Sequence, residues 1–264
     1  MKLSELNPHR PWPLPTSPWI MSQIWRHVTF LHWAIEPSIL APFIPQDLIL
    51  DTYQSKAWIS FSCLNVYHTR LRFFPPVPGM LSFNQINIRT YVRSAEGKPG
   101  VYFLKIGATN RLVTFGCSTF MHLPFVHINY HLTPWAPAAH QKFGAVHITC
   151  AFPEQEALRC VATLTSQPYP ATAYPLTTWL TERYSMYTDA QHPFPTQEQT
   201  TRDNSQILVG EITHRPWTLQ DANITVASNS LLAPYGFDVS TLPSLVTYTK
   251  ELKSYIWMFR NISL

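Results

Sequence analysis

Three cations and one histidine are the side chains of this sequence whose type and setting could act on a small molecule: Arg26, Arg89, Lys105 and His214. Arg89 stands in QINIRTYVR, residues 85–93, where alternation places Gln85, Asn87, Arg89, Tyr91 and Arg93 on one strand face. Ile86, Ile88, Thr90 and Val92 take the other. A face that polar either meets water outside a barrel or lines a polar cavity within it. A guanidinium in a cavity would clamp a carboxylate or another planar anion in bidentate fashion. The alternative is a structural arginine tied to backbone carbonyls or to a carboxylate such as Glu182 or Glu211. Arg26, in the alternating run IWRHVTFLHW, has the same two readings. Lys105 falls in a strand predicted over 101–108, on a face with Val101 and Phe103. Desolvation there would favour the neutral amine, the form that attacks a carbonyl, whereas a lysine on an outer wall points to water. His214 opens the turn His214-Arg215-Pro216-Trp217. It could serve as an acid or base near neutral pH, or be held by backbone hydrogen bonds. His122, His127 and His131 lie in a stretch that reads as extended, with no HExxH and no clustered carboxylates, so no metal site is expected.

The chain that must position these residues reads mostly as strands. Residues 19–33, 48–53 and 57–66 alternate, and the last run sets Trp58, Ser60, Ser62 and Leu64 against Ile59, Phe61 and Cys63. Glu36-Pro37 offers a helix start with proline at the first helical position, and Pro45 stops it after about two turns. The segment 83–125 reads as three successive strands joined by turns. Residues 145–152 and 157–165 form a hairpin, and 208–213, 222–227 and 245–249 supply further strands before 255–259 closes the chain. The best helix runs over 176–187, where Leu176, Leu180, Arg183, Tyr184 and Tyr187 recur at helical spacing behind a Thr177 cap. Residues 1–18 carry five prolines and read as an extended arm, on the surface or against a partner subunit, and 74–79 reads as a proline-rich loop. The remainder, 19–264, reads as one β-rich α+β domain with a single core.

Composition narrows the classes. At 45% hydrophobic and only 13% charged residues the chain can bury a bulky interior, which argues against disorder. With 24 prolines against 8 glycines it is punctuated too often for a helical bundle. The +4 formal charge comes from scattered single residues, so no nucleic-acid partner is expected. The apolar runs are shorter than a membrane helix, and Cys63, Cys117, Cys150 and Cys160 follow no CxxC or secretory pattern; a cytoplasmic protein without membrane partner is expected. No GxGxxG, GxxxxGK[ST] or GxSxG occurs, and no cofactor is expected.

FLHWAIEPSILAPFIP, INIRTYV with KPGVYFL, LTTWLTERYSMY and EITHRPWTLQDA, in that order over most of the chain, resemble the YqjF-like family of uncharacterised bacterial proteins. The resemblance implies an acetoacetate decarboxylase-like antiparallel β-barrel with a few short helices and a central ligand cavity, without implying a known reaction. Beside the decarboxylases, Arg26 falls where those enzymes keep a substrate-binding arginine, and Gln85 falls near their catalytic glutamate. Where they carry the Pro-Lys-Lys motif of the imine-forming lysine, this chain has Pro124-Phe125-Val126. A phenyl ring cannot form an imine, so the parent mechanism is lost at Phe125. The expectation is a cavity for a small anionic or carbonyl ligand, with Arg89, Arg26, Gln85, Phe125 and Trp58 as ligand-binding residues. Lys105 and His214 are the candidates for catalysis. Acid-base chemistry on a small oxo acid, and a filled barrel of purely structural use, stay open beside it. A homo-oligomer is compatible with the proline-rich arm.

Overall fold

The computed structural model describes residues 9–75, 81–137, 142–154, 156–195, 205–237 and 241–262. Residues 1–8 of the proline-rich arm and 76–79 of the proline-rich loop lie outside these. In chain order the elements begin with β1 (Met21–Ile35), α1 (Pro37–Leu40), β2 (Leu48–Leu50), β3 (Ala57–Leu71), β4 (Phe83–Ser94), β5 (Pro99–Ala108) and α2 (Arg111–Met121). Then come β6 (Phe125–His127), β7 (Asn129–Trp135), β8 (Ala145–Ala151), β9 (Ala157–Leu164), β10 (Tyr169–Pro170), α3 (Pro175–Thr181) and β11 (Ser185–Asp189). The chain finishes with β12 (Ile207–His214), β13 (Thr218–Asn229), β14 (Leu245–Ile256) and β15 (Arg260–Asn261).

Seven strands form a barrel-like ring in the order β12, β11, β5, β4, β3, β1, β14. The ring is closed where β14 returns to β12 through Ile212↔Ile256, Thr213↔Tyr255 and His214↔Ser254. Its neighbours run antiparallel except β5 and β11, which pair in parallel. Gly100 permits that approach: a Cβ there would meet the Ser185 carbonyl oxygen at 2.6 Å. Beyond β14 the sheet continues through β13, β9, β8 and β7, which folds over the outside of the ring.

Alternation divides the apolar interior in two, where the sequence suggested one core. On β3, Ile59, Phe61 and Cys63 are fully buried outward, against Tyr130, Ile148, Cys150 and Cys160 of the covering sheet. Each aliphatic or aromatic side chain sealed there contributes about 1.5–3 kcal/mol. Trp58 and Leu64 face inward with Phe30, Phe103 and Trp217. Both layers therefore pin the register of the same strands.

Two helices differ from expectation. The third strand expected in 83–125 is the helix α2, whose Asn110 side chain accepts a bond from the Val113 N–H at 3.1 Å. It ends at His122 in the left-handed conformation, φ 53°. The helix expected over 176–187 stops at Thr181, and Ser185 already belongs to β11. Its cap is also different: Pro175 occupies the first turn, while the Thr177 hydroxyl donates to the Ala171 carbonyl at 2.6 Å.

Candidate functional site

The ring encloses a cavity of about 110 Å³, capped by α2 through Val113, Cys117 and Met121. Strand β4 supplies its polar wall, Gln85, Asn87 and Arg89, which follow Phe83 in unbroken alternation. Three neighbouring stretches reach the cavity only because their phase is reset by β-bulges, each an extra residue that turns the following side chains to the opposite face. On β1 the extra residue lies at His27, φ 52°, so Gln23 and Trp25 point inward before it and Val28 and Phe30 after it. On β3 it lies at His68, φ 48°, so Ser62 and Leu64 are followed inward by Thr69. On β5, Ile88 pairs with Lys105 while Arg89 pairs with Phe103, leaving Leu104 as the extra residue. Val101, Phe103 and then Ile106 line the cavity.

Two expected residues are displaced by this phase change. Arg26 is on the outer wall, half-exposed, bonded through Nε to Glu251 at 2.6 Å and stacked on Tyr67. Lys105 does not share a face with Val101 and Phe103. It lies outside the cavity, with Nζ 2.9 Å from Glu156 and 3.2 Å from Glu154, over the Phe152 ring. Gln85 and Phe125 do line the cavity, and Gln85 donates to Asn87 Oδ1 at 2.7 Å. Trp58 is on the inward face of β3 yet is buried in the inner core rather than at the cavity, its indole N–H without a partner.

Arg89 has no carboxylate within ion-pairing distance among the described residues. Glu211 is taken by Arg10 and Lys98, while Glu182 accepts the Tyr184 hydroxyl and the Trp217 N–H. The guanidinium stands 5.4 Å from the Phe30 ring centroid, and its Nε is buried without a hydrogen-bond partner. Burial is the largest influence on it and holds its pKa below the ordinary arginine value, with the Tyr91 hydroxyl opposing. Arg89 nonetheless keeps accessible surface and lines the cavity. Tyr91 is fixed from behind: its hydroxyl is 2.7 Å from Ser60 Oγ, which is 2.6 Å from His32 Nδ1.

A second cation at the cavity, Arg183, is neutralised. Its Nη1 reaches Asp51 at 2.7 Å, its Nε donates to the Trp179 carbonyl at 2.6 Å, and Asp51 also holds Arg93. His214 lines the cavity, buried against Tyr184 and Trp217. Its Nδ1–H donates to the Arg215 carbonyl at 2.7 Å, so Nε2 is the remaining acceptor. Burial first, offset by that carbonyl and reinforced by His9, Arg10 and Arg89, lowers its pKa to about 4. At neutral pH the site therefore holds a neutral imidazole and a cationic Arg89. Among the described residues, neither a lysine nor a carboxylate lines the cavity. The inward placement of Thr69 and Cys117 was not readable, because the first depends on a bulge and the second on a helix taken for a strand.

The chain is 32% identical to the uncharacterized protein YqjF of Bacillus subtilis (strain 168) over 253 residues, covering 95% of this chain and 96% of that protein. An acetoacetate decarboxylase-like enzyme from Sphingomonas wittichii RW1 matches in structure with a TM-score of 0.65 at 12% identity, over 96% of this chain and 98% of that one. The enduracididine biosynthesis enzyme MppR, complexed with pyruvate, matches with a TM-score of 0.63 at 12% identity, over 96% and 94%. Such distant likeness carries the fold and not the chemistry. The family model for an uncharacterized conserved protein, DUF2071, matches residues 22–253, and the chain belongs to that family, on an acetoacetate decarboxylase-like fold.

Proposed function

We propose that this protein binds a small anionic or carbonyl ligand, first of all a carboxylate, in the ring cavity, with Arg89 as the charge that receives it and without an imine. The observation that carries this reading is the buried Arg89 guanidinium with no counter-ion among the described residues. An uncompensated interior charge costs several kcal/mol, and a carboxylate arriving beside it recovers much of that cost. The missing lysine in the cavity and Phe125 at its wall support non-covalent binding. The pyruvate complex of MppR, a protein of like fold, is consistent with a carboxylate in such a ring. Binding is preferred over acid-base catalysis because the candidate base, His214, has a pKa of about 4 and no carboxylate beside it in the cavity to raise it.

The test is calorimetric titration with pyruvate, acetoacetate and phenylacetate, each beside its neutral amide. A carboxylate that binds while its amide does not, with binding lost in Arg89→Gln, is the expected outcome. Amides that bind as well as the acids would refute the assignment.

A further inference from the structure

The cavity distributes its polarity unevenly. Apart from Arg89, most of its polar side chains make contacts with one another or with backbone: Gln23 with Trp25, Gln85 with Asn87, Thr181 with the Thr177 carbonyl, Arg183 with Asp51 through Nη1, and His214 with the Arg215 carbonyl through Nδ1, which leaves Arg183 Nη2 and His214 Nε2 open. The one unpaired hydroxyl of the wall, Ser62 Oγ, is on β3, where Ser60 is the cross-strand partner of Arg89 and Ser62 that of Asn87. The donors for an anion are thus Arg89 and Ser62 on the β3–β4 wall, with Arg183 Nη2 as a further one from the segment after α3. The rest of the lining is apolar, with Phe30, Val101, Phe103, Val113, Leu123 and Phe125 among it.

From this arrangement we infer that the ligand is an amphiphilic monocarboxylic acid, with one carboxylate at Arg89 and an unbranched or aromatic hydrocarbon body against the apolar walls, rather than a small polar oxo acid. The inference rests on the carboxylate reading above and narrows its ligand class. A small oxo acid would leave most of the lining, which is apolar, without a partner surface, whereas a hydrocarbon body covers it. Size sets the limit. At roughly 10–15 Å³ for each water-sized atom, a cavity of 110 Å³ admits about seven to eleven non-hydrogen atoms. Three belong to the carboxylate, so the body has about four to eight carbons. Hexanoate, octanoate, benzoate and phenylacetate fit that range, and decanoate exceeds it.

The test titrates the full chain with acetate, butanoate, hexanoate, octanoate and decanoate, together with phenylacetate, pyruvate, acetoacetate and hexanamide. Each buried methylene strengthens binding about fourfold, so hexanoate, with four more than acetate, binds on the order of 250-fold tighter. Affinity then falls at decanoate, and hexanamide and Arg89→Met both abolish it. Val113→Phe, which fills the apolar end beneath α2, weakens hexanoate and phenylacetate more than acetate. Melting curves of both variants establish that they are folded. If pyruvate or acetoacetate binds as tightly as hexanoate, and still requires Arg89, the amphiphilic ligand is overturned while the carboxylate reading stands. If no acid binds, or if Arg89→Met binds them unchanged, both fall.

Discussion

Replacing Arg89 by methionine separates a residue that serves a ligand from one that serves the fold. Methionine keeps an apolar stem beside Phe30 and Phe103 and removes the charge together with its bond to the Tyr91 hydroxyl. A structural arginine would lose its partners and destabilise the protein. Arg89 has no carboxylate partner to lose, its Nε is buried and unbonded, and the Tyr91 hydroxyl it does bond stays held by Ser60. Exchanging a buried ion pair for apolar side chains is neutral or stabilising by about 1–4 kcal/mol, and an ion without a counter-ion has less Coulombic attraction to lose. At about 2.1 cal/mol/K per residue of unfolding entropy, a gain of roughly 2 kcal/mol raises the melting temperature of a chain this size by about 4 °C. Carboxylate affinity moves the other way: loss of the charged partner costs about 2–5 kcal/mol, or some thirtyfold to several thousandfold. Scanning calorimetry in carboxylate-free buffer and titration with phenylacetate measure the two. Arg89→Met that melts several degrees below the parent would refute the reasoning, because it would mean that the guanidinium has structural partners.

Three further outcomes are expected. His214 is held neutral in the fold, with a pKa of about 4 against 6.5 when unfolded. Its contribution is therefore complete above pH 6.5 and is lost as pH falls toward 4, by about 2 kcal/mol between pH 7.5 and 5. Urea unfolding at those two pH values shows this loss, and His214→Asn, which can still donate to the Arg215 carbonyl, reduces it; an unchanged loss would contradict the assignment. His32, pushed well below its usual value by burial, adds acid sensitivity in the same direction. Borohydride treatment with pyruvate or acetoacetate leaves no adduct on Lys105 by mass spectrometry, since that amine sits between Glu154 and Glu156 outside the cavity. Finally, His122→Gly relieves the left-handed residue that ends α2 and raises stability by about 1 kcal/mol in denaturant titration, whereas a loss would show that the His122 side chain matters more than its backbone.

Much of the fold was legible because two-residue periodicity is a direct consequence of strand geometry. The β3 and β4 faces, the β8–β9 hairpin and the short helix after Glu36 all stand as their patterns indicate. The helix α2 was hidden by its own composition: Val113, Thr114, Phe115, Thr119 and Phe120 suit a pleated surface as well as a helix. Asn110 was the contrary signal, a cap whose side chain satisfies the Val113 N–H. At α3 the helical spacing of Arg183, Tyr184 and Tyr187 continued past the real end, because Tyr187 is buried in the outer core from a strand and not from a helix. In both places local pattern yielded to the demand of the ring for a cap over its mouth and a strand beside β5.

The cavity shows why candidate residues are harder to read than strands. Alternation predicts which side chains share a face only while each residue opposes one partner, and one extra residue reverses every position after it. Arg89 was placed correctly because no bulge interrupts β4 itself between Phe83 and Arg89; the extra residue opposite Arg89 belongs to β5. Arg26 and Lys105 were misplaced for the same reason as each other, one residue before the bulge at His27 and one after the bulge at Leu104. Neither bulge is announced by glycine, since histidine occupies the left-handed position in β1 and leucine is the extra residue in β5. The same bulges take two cations out of the ring and leave Arg89 without the competition of a neighbouring lysine. A cavity with one cation that has no counter-ion among the described residues, on a largely apolar lining, is the arrangement that remains, and it is the one on which the proposed monocarboxylate rests.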